Sequence, residues 1–381
     1  MRQGFLPVRI AIASVIGTGS LLGLAAPSSA QPAVLRRLVT APMPARPLSL
    51  AADTRGHIWF TLQGESRSVG WVDASECADS LQSCAPVEYE LPDVGLTPFF
   101  LTVDSRNHIW MTALDEDGGG EILSFDPDAE TFQRWPIPAD VGDAPHDLAV
   151  AGNGTVYFTD SGVGLISLNP VTGTFTVQYR TPANALAGQV AGLGVSIDPS
   201  GGVWCTCGLD VVRLGWRLIR GLREILIRDL LVRRVPDARK PYGIVSDSAN
   251  VAWILDQQSL GLHRFDRQRD AFESWDVPSA TIPNADLVLP VDPHWMAVRG
   301  NSVYFTGLIG VLGRFDAAQA AFDNYLLSPA RADVHGSSGA FDIAIDRAGR
   351  VWFTETTANT LTRLDVRRLS PPRIPPPIPD F

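Results

Sequence analysis

One phrase recurs seven times along this chain of 381 residues. It reads HIWFTL at 57–62, HIWMTA at 108–113, TVYFTD at 155–160, GVWCTC at 202–207, VAWILD at 251–256, SVYFTG at 302–307 and RVWFTE at 350–355. The aromatic anchors Trp59, Trp110, Tyr157, Trp204, Trp253, Tyr304 and Trp352 are 51, 47, 47, 49, 51 and 48 residues apart. A period of this size marks a stack of similar supersecondary units.

Each unit has its own grammar. The second reads FFLTVD, a turn SRN, HIWMTAL, an acidic Gly-rich turn, EILSFD, a DPDAE turn, then FQRWPIP. Four short alternating runs, rich in β-branched and aromatic residues and broken by turn residues, predict a four-stranded antiparallel meander. Such a sheet alone leaves both faces wet, whereas seven arranged around an axis bury them and leave only short edges. The expected fold is therefore all-β, a seven-bladed β-propeller spanning 31–370. The last unit stops after TLTRLDV, and AVLRRLVTAPMP at 33–44 is expected to supply the missing strand of that blade, closing the ring and removing an open edge.

The flanks differ. Met1–Ala30 has Arg2 and Arg9, an apolar run Ile10–Ala25 and a small-residue Ser28-Ser29-Ala30 site, the pattern of an export signal. A secreted or periplasmic protein is expected, monomeric and with no stable membrane span once the signal is cleaved. Residues 371–381 are Pro-rich and predict an extended polyproline tail. A net charge of −10 argues against nucleic acid and anionic membranes as general partners. Against that background, 213–240 carries nine basic residues. An elongated outer hairpin is favoured there over an amphipathic helix, with a solvated blade edge as its role. Export permits disulfides. Cys77 and Cys84 flank a polar loop that a bridge would close, and either state is open. Cys205 and Cys207 share one face of a strand where a bridge is strained, so they read as buried free thiols.

Blade order also places the candidate chemistry. The first strand begins about eleven positions before the anchor and the second ends three after it, at one end of each blade. The start positions are Leu48, Phe99, His146, Leu193, Tyr242, His294 (displaced by one) and Phe341; the end positions are Leu62, Ala113, Asp160, Cys207, Asp256, Gly307 and Glu355. Together they are expected to ring one mouth of the central channel, with His146 near Asp160 and Tyr242 near Asp256. Carboxylates and histidines so arranged suit a hard divalent cation, with Asp160 and Glu355 as candidate ligands, and they suit acid–base chemistry. The alternative is that polar strand ends simply meet channel water. His57 and His108 fall on the opposite face, and His263 reads as a packing residue.

The phrases PHDLAVAGNGTVYFTDSGVGLISLNPVTGTFTVQYRTP and FDIAIDRAGRVWFTETTANTLTRLDV resemble repeats of the virginiamycin B lyase (streptogramin B lyase) family. That resemblance implies a Mg²⁺-assisted elimination that linearises a cyclic depsipeptide antibiotic. The family roles fall on a His opening the penultimate blade, a Glu-x-His opening the last, and a Glu ending the last blade's second strand. By position these are His294 and Glu355, while Glu-x-His meets Gly339-Ala340-Phe341, which has neither group. His335, in DVHGSSGAF, is the candidate substitute. Two readings follow: a Mg²⁺-dependent carbon–oxygen lyase using His294, Glu355 and His335, or a non-catalytic propeller. The second would bind a small-molecule or peptide ligand through His146, Asp160, Tyr242, Asp256 and Phe341.

Overall fold

The computed structural model describes residues 38–42, 45–64, 67–78, 84–186, 190–219, 225–282, 287–289, 291–307, 310–326 and 339–364, all within one compact unit. The expected export signal, His335 and the Pro-rich tail lie outside them. Seven four-stranded antiparallel sheets form the blades. Blade 1 is Arg46–Ala52, His57–Gln63, Ser68–Asp73 and Val87–Glu90; blade 2 is Thr97–Val103, Ile109–Leu114, Gly120–Asp126 and Thr131–Pro136. Blade 3 is Pro145–Val150, Val156–Asp160, Gly164–Asn169 and Thr174–Arg180; blade 4 is Val195–Ile197, Val203–Cys207, Asp210–Ile219 and Ile225–Arg234. Blade 5 is Pro241–Ser246, Ala252–Asp256, Gly261–Asp266 and Ala271–Asp276; blade 6 is Pro293–Arg299, Ser302–Gly307, Val311–Asp316 and Ala321–Leu326. Blade 7 has Ala340–Ile345, Val351–Glu355 and Thr360–Leu364, and Leu38–Pro42 lies antiparallel to the last of these, Leu38 opposite Arg363 and Val39 opposite Thr362.

The repeated phrase is the second strand, and its burial explains its spelling. Val156–Asp160 and Val351–Glu355 are buried at every position, because this strand has sheet on both edges and neighbouring blades on both faces. Fourth strands such as Thr131–Pro136 alternate between exposed and half-buried at the rim.

Two letters of the phrase have specific partners. Five anchors are Trp, and each donates its Nε1–H to an Asp six residues earlier: Trp59 to Asp53, Trp110 to Asp104, Trp204 to Asp198, Trp253 to Asp247 and Trp352 to Asp346, at 2.9–3.2 Å. The tyrosine blades have Ala151 and Val298 there. The Thr two places after the anchor joins neighbouring blades. Thr61, Thr112, Thr206, Thr306 and Thr354 donate Oγ1–H to the carbonyls of Phe99, His146, Tyr242, Phe341 and Leu48, each in the next blade, at 2.7–2.8 Å. The same oxygen accepts an amide from its own blade's first strand, as from Phe100 and Asp342 at 3.1 Å. Blade 5 has Leu255 in this place.

The outer hairpin of blade 4 is elongated, as expected from its sequence, with Asp210–Ile219 paired throughout to Ile225–Arg234. The cysteine reading is corrected at one pair. Cys77 and Cys84 are bridged, and so are Cys205 and Cys207. Ideal strand spacing puts alternate residues about 6.6 Å apart, but here the Cα atoms of Cys205 and Cys207 are 5.7 Å apart, within a disulfide's reach. Among the described residues, no helix is long and apolar enough to cross a membrane.

Candidate functional site

The start and end positions do lie at the same end of their blades. In six of the seven blades the residue just before the start position pairs with the end position: Pro47 with Leu62, Pro98 with Ala113, Pro145 with Asp160, Pro241 with Asp256, Pro293 with Gly307 and Ala340 with Glu355. In each case the register then shifts within three residues. This irregularity turns the first strand toward the channel.

Four candidate residues from separate blades meet there. The Tyr242 and His294 rings are 4.4 Å apart, and His294 lies 4.4 Å from Phe341. Phe100 extends the array, 4.5 Å from His146 and 5.0 Å from Trp295. Tyr242 and His294 are buried, whereas His146, Phe341 and the neighbouring Phe99 are half-buried. The result is a continuous aromatic floor contributed by blades 2, 3, 5, 6 and 7.

Hydrogen bonds fix the two imidazoles. His146 Nδ1 is 3.0 Å from the Leu193 carbonyl, which only accepts, so Nδ1 carries the proton. Nε2 then accepts from the Tyr242 hydroxyl at 3.0 Å. His294 Nδ1 accepts from the Gln257 amide at 3.1 Å, which leaves its proton on Nε2, a buried atom with no hydrogen-bond partner among the described residues. Burial lowers His146 to about 4, with the nearby Lys240 charge adding to it and the Leu193 bond opposing. Burial likewise lowers His294 to about 3, reinforced by His146 and Lys240. Tyr242 is raised, first by burial and then by Asp147 and Asp342. Both imidazoles are neutral near pH 7.

The acidic end positions are occupied differently. Asp160 is fully buried and accepts the amides of Asp143, Ala144 and Gly162 at 2.8–3.1 Å. Asp256 accepts those of Arg239, Lys240, Gln258 and Ser259 at 2.7–3.0 Å. Glu355 is fully buried, its Oε2 accepting from the hydroxyls of Thr360 and Thr362 in its own blade. Among the described residues, no group of three or more His, Cys, Asp or Glu side chains is arranged to hold a metal.

Sequence reasoning missed a second pair of acids, one residue beyond the start positions. Asp147 and Asp342 line a cavity of about 420 Å³ in the channel, with Ser49, Phe100 and Trp295 among its walls. Asp147 accepts from the amide of Val195 in blade 4 at 2.8 Å; Asp342 accepts from Ser49 Oγ and the Leu50 amide in blade 1 at 2.6 and 2.9 Å. Burial pushes Asp147 up to about 8, with Asp342 adding to it, and Asp342 up to about 6. The signal was present as an acid inside an innermost, mostly apolar strand (PHDLAV and AFDIAI). Elsewhere, His57 Nδ1 meets Asp53 at 2.9 Å beside the Trp59 anchor, and His263 bonds Ser274 at 2.9 Å.

A seven-bladed propeller with an aromatic-floored mouth is the class that fold and site define. No protein-family model and no curated protein matches the chain. Solved structures do resemble it. A streptogramin B lyase shares 19% identity over 87% of this chain and 97% of its own, with a TM-score of 0.66. A catalytically inactive virginiamycin B lyase from Staphylococcus aureus, solved with quinupristin, shares 17% over 86% and 98%, also at 0.66. YCF48 bound to D1 peptide shares 13% over 90% and 99%, at 0.57. The shared property at these identities is the fold, which serves a lyase in one case and peptide binding in another.

Proposed function

We propose that this protein is an exported, monomeric propeller that binds a small molecule or peptide with apolar or aromatic groups at the mouth floored by His146, Tyr242, His294 and Phe341. One observation carries the reading: the floor is ring packed on ring, with half-buried Phe99, His146 and Phe341 still offering apolar surface. Aromatic faces of this kind bind through area and stacking. The nearby acids Asp160 and Asp256 orient their own turns. The imidazoles, with conjugate-acid values near 3 and 4, are weak proton acceptors at neutral pH. Two solved neighbours hold such ligands, quinupristin and a peptide.

Quinupristin is the first probe. Calorimetry is expected to give saturable binding, weakened about tenfold by Phe341→Ala through loss of one stacked ring. Unchanged binding in that variant would refute the mouth as the site.

A second reading is a Mg²⁺-assisted carbon–oxygen lyase acting on a cyclic depsipeptide or related ester. It is favoured by His294 and Glu355, which stand where the virginiamycin B lyase resemblance puts two of its roles. Mass spectrometry after incubation with quinupristin and Mg²⁺ separates the two. A linear isomer of unchanged mass supports the lyase, and intact ligand supports the binding module.

A further inference from the structure

The aromatic floor divides the central channel. The cavity of about 420 Å³ begins one residue inside the floor's strand starts, and its walls follow residues 49–52, 100–103 and 147–150. Those runs reach the last residues of the first strands of blades 1, 2 and 3, Arg46–Ala52, Thr97–Val103 and Pro145–Val150. The cavity is thus a second chamber, on the side of the floor away from the mouth. Phe100 and Trp295 belong to both, closing the chamber at its floor end.

Glycines make room for it. At the level of Asp147 and Asp342, blades 4 and 5 carry Gly194 and Gly243, so neither sends a side chain inward. Trp295 takes the space over Gly243, where a Cβ would lie 3.2 Å from the indole Cε3. That contact turns the opposite, N–H edge of the ring away from blade 5. Trp295 is only 6% exposed, and its Nε1 has no hydrogen-bond partner among the described residues. The five anchor tryptophans, by contrast, each donate to an Asp.

The acids of the chamber lack a counter-charge. Asp147 in blade 3 and Asp342 in blade 7 are the only ionisable side chains on its walls among the described residues. Lys240, whose ammonium lies 5.4 Å over the Tyr242 ring, stands at the mouth end where blade 5 begins. Asp147 accepts the amides of Leu148 and Val195, and Asp342 accepts from Ser49, Leu50 and Ile343. A carboxylate offers about four acceptor positions, so both keep capacity. Buried charge is ordinarily paired, and a cation here would also meet the aromatic surface of Phe100 and Trp295. An ammonium cannot accept from the indole N–H, however. That donor calls for an oxygen.

We infer that this chamber binds a small primary ammonium ion that also carries a neutral acceptor oxygen. The ammonium sits in the field of Asp147 and Asp342, and the oxygen accepts from Trp295 Nε1–H. A bare metal ion would meet only two carboxylates and leave the indole donor unmet. The inference is independent of what the channel mouth binds.

Calorimetry with glycinamide tests it. Glycinamide should bind saturably, whereas acetamide, which keeps the oxygen and lacks the charge, should not. Ethylamine keeps the charge and lacks the oxygen, and should bind about tenfold more weakly, the worth of one hydrogen bond. W295F should weaken glycinamide about tenfold and leave ethylamine unchanged, while D147N should weaken both about tenfold or more. The wild-type protein gives a check that needs no folded variant. Among the indole N–H resonances of its ten tryptophans, glycinamide should shift that of Trp295 most. No saturable binding, equal loss of both amines in W295F, or an unmoved Trp295 resonance overturns the inference. So does competition by quinupristin, which would put the amine at the mouth, or Ca²⁺ binding that excludes glycinamide, which would make the chamber a metal site.

Discussion

Thr354→Val isolates the link between blades 7 and 1. Thr354 Oγ1 donates to the Leu48 carbonyl at 2.7 Å across a sequence separation of 306 and accepts the Asp342 amide at 3.1 Å. Valine keeps the shape and leaves no cavity, so the loss is confined to hydrogen bonding. Two buried backbone groups lose this partner, at about 1–3 kcal/mol each, giving an expected loss of about 2–6 kcal/mol. With a urea slope of about 3 kcal/mol per molar, the unfolding midpoint should fall by roughly 1–2 M. Tryptophan fluorescence and circular dichroism should report the same shift at unchanged slope. Thr354→Ser keeps the hydroxyl and should lose about 1 kcal/mol or less. A valine variant within about 0.2 M of wild type, or a serine variant that falls as far, would refute the hydroxyl relay as the source of inter-blade cohesion.

Three further outcomes follow from buried groups. Asp147 and Asp342 are raised above their unfolded values, so their contribution is full below about pH 4 and is lost as pH rises through about 6 and 8. Melting temperature should therefore decline from pH 5 to 9, and Asp147→Asn should flatten that decline. His146 and His294 are lowered, so their contribution is present above about pH 6.5 and is lost as pH falls through about 4 and 3. His294→Gln should blunt acid unfolding in that window. Alkylation followed by mass spectrometry should label no cysteine in the unreduced denatured protein and four after reduction.

The fold was legible because the residues that build it are repeated. A Trp with its Asp six places earlier, and a Thr that reaches the next blade, must recur in every unit that makes the contact. The convergence of His146, Tyr242, His294 and Phe341 was legible for the same reason, since strand starts share one end of the ring. The partners of Asp160 and Asp256 were not legible in the sequence, because they are main-chain groups rather than side chains. Asp160 and Asp256 hold backbone amides of adjoining turns, and any sequence would supply those amides. Asp147 and Asp342 are less legible because each sits one residue inside the strand start, among the residues that pack the inner strand.

The mouth's departure from the virginiamycin B lyase pattern reaches into the backbone. Where that family resemblance expects a glutamate, Gly339 adopts a φ of +53°, a left-handed conformation that side chains disfavour. A Cβ there would lie 2.6 Å from Thr357 Oγ1. Its carbonyl is engaged too, accepting from both the amide and the hydroxyl of Thr356 at 3.0 Å. Two residues on, Phe341 fills the histidine position and packs against His294. The segment is thus built around a glycine turn and an aromatic contact, and substituting Glu and His would strain the first and remove the second. At Gly339 and Phe341, then, the mouth is built by a turn and by ring packing, and those contacts are what the proposed ligand-binding reading draws on.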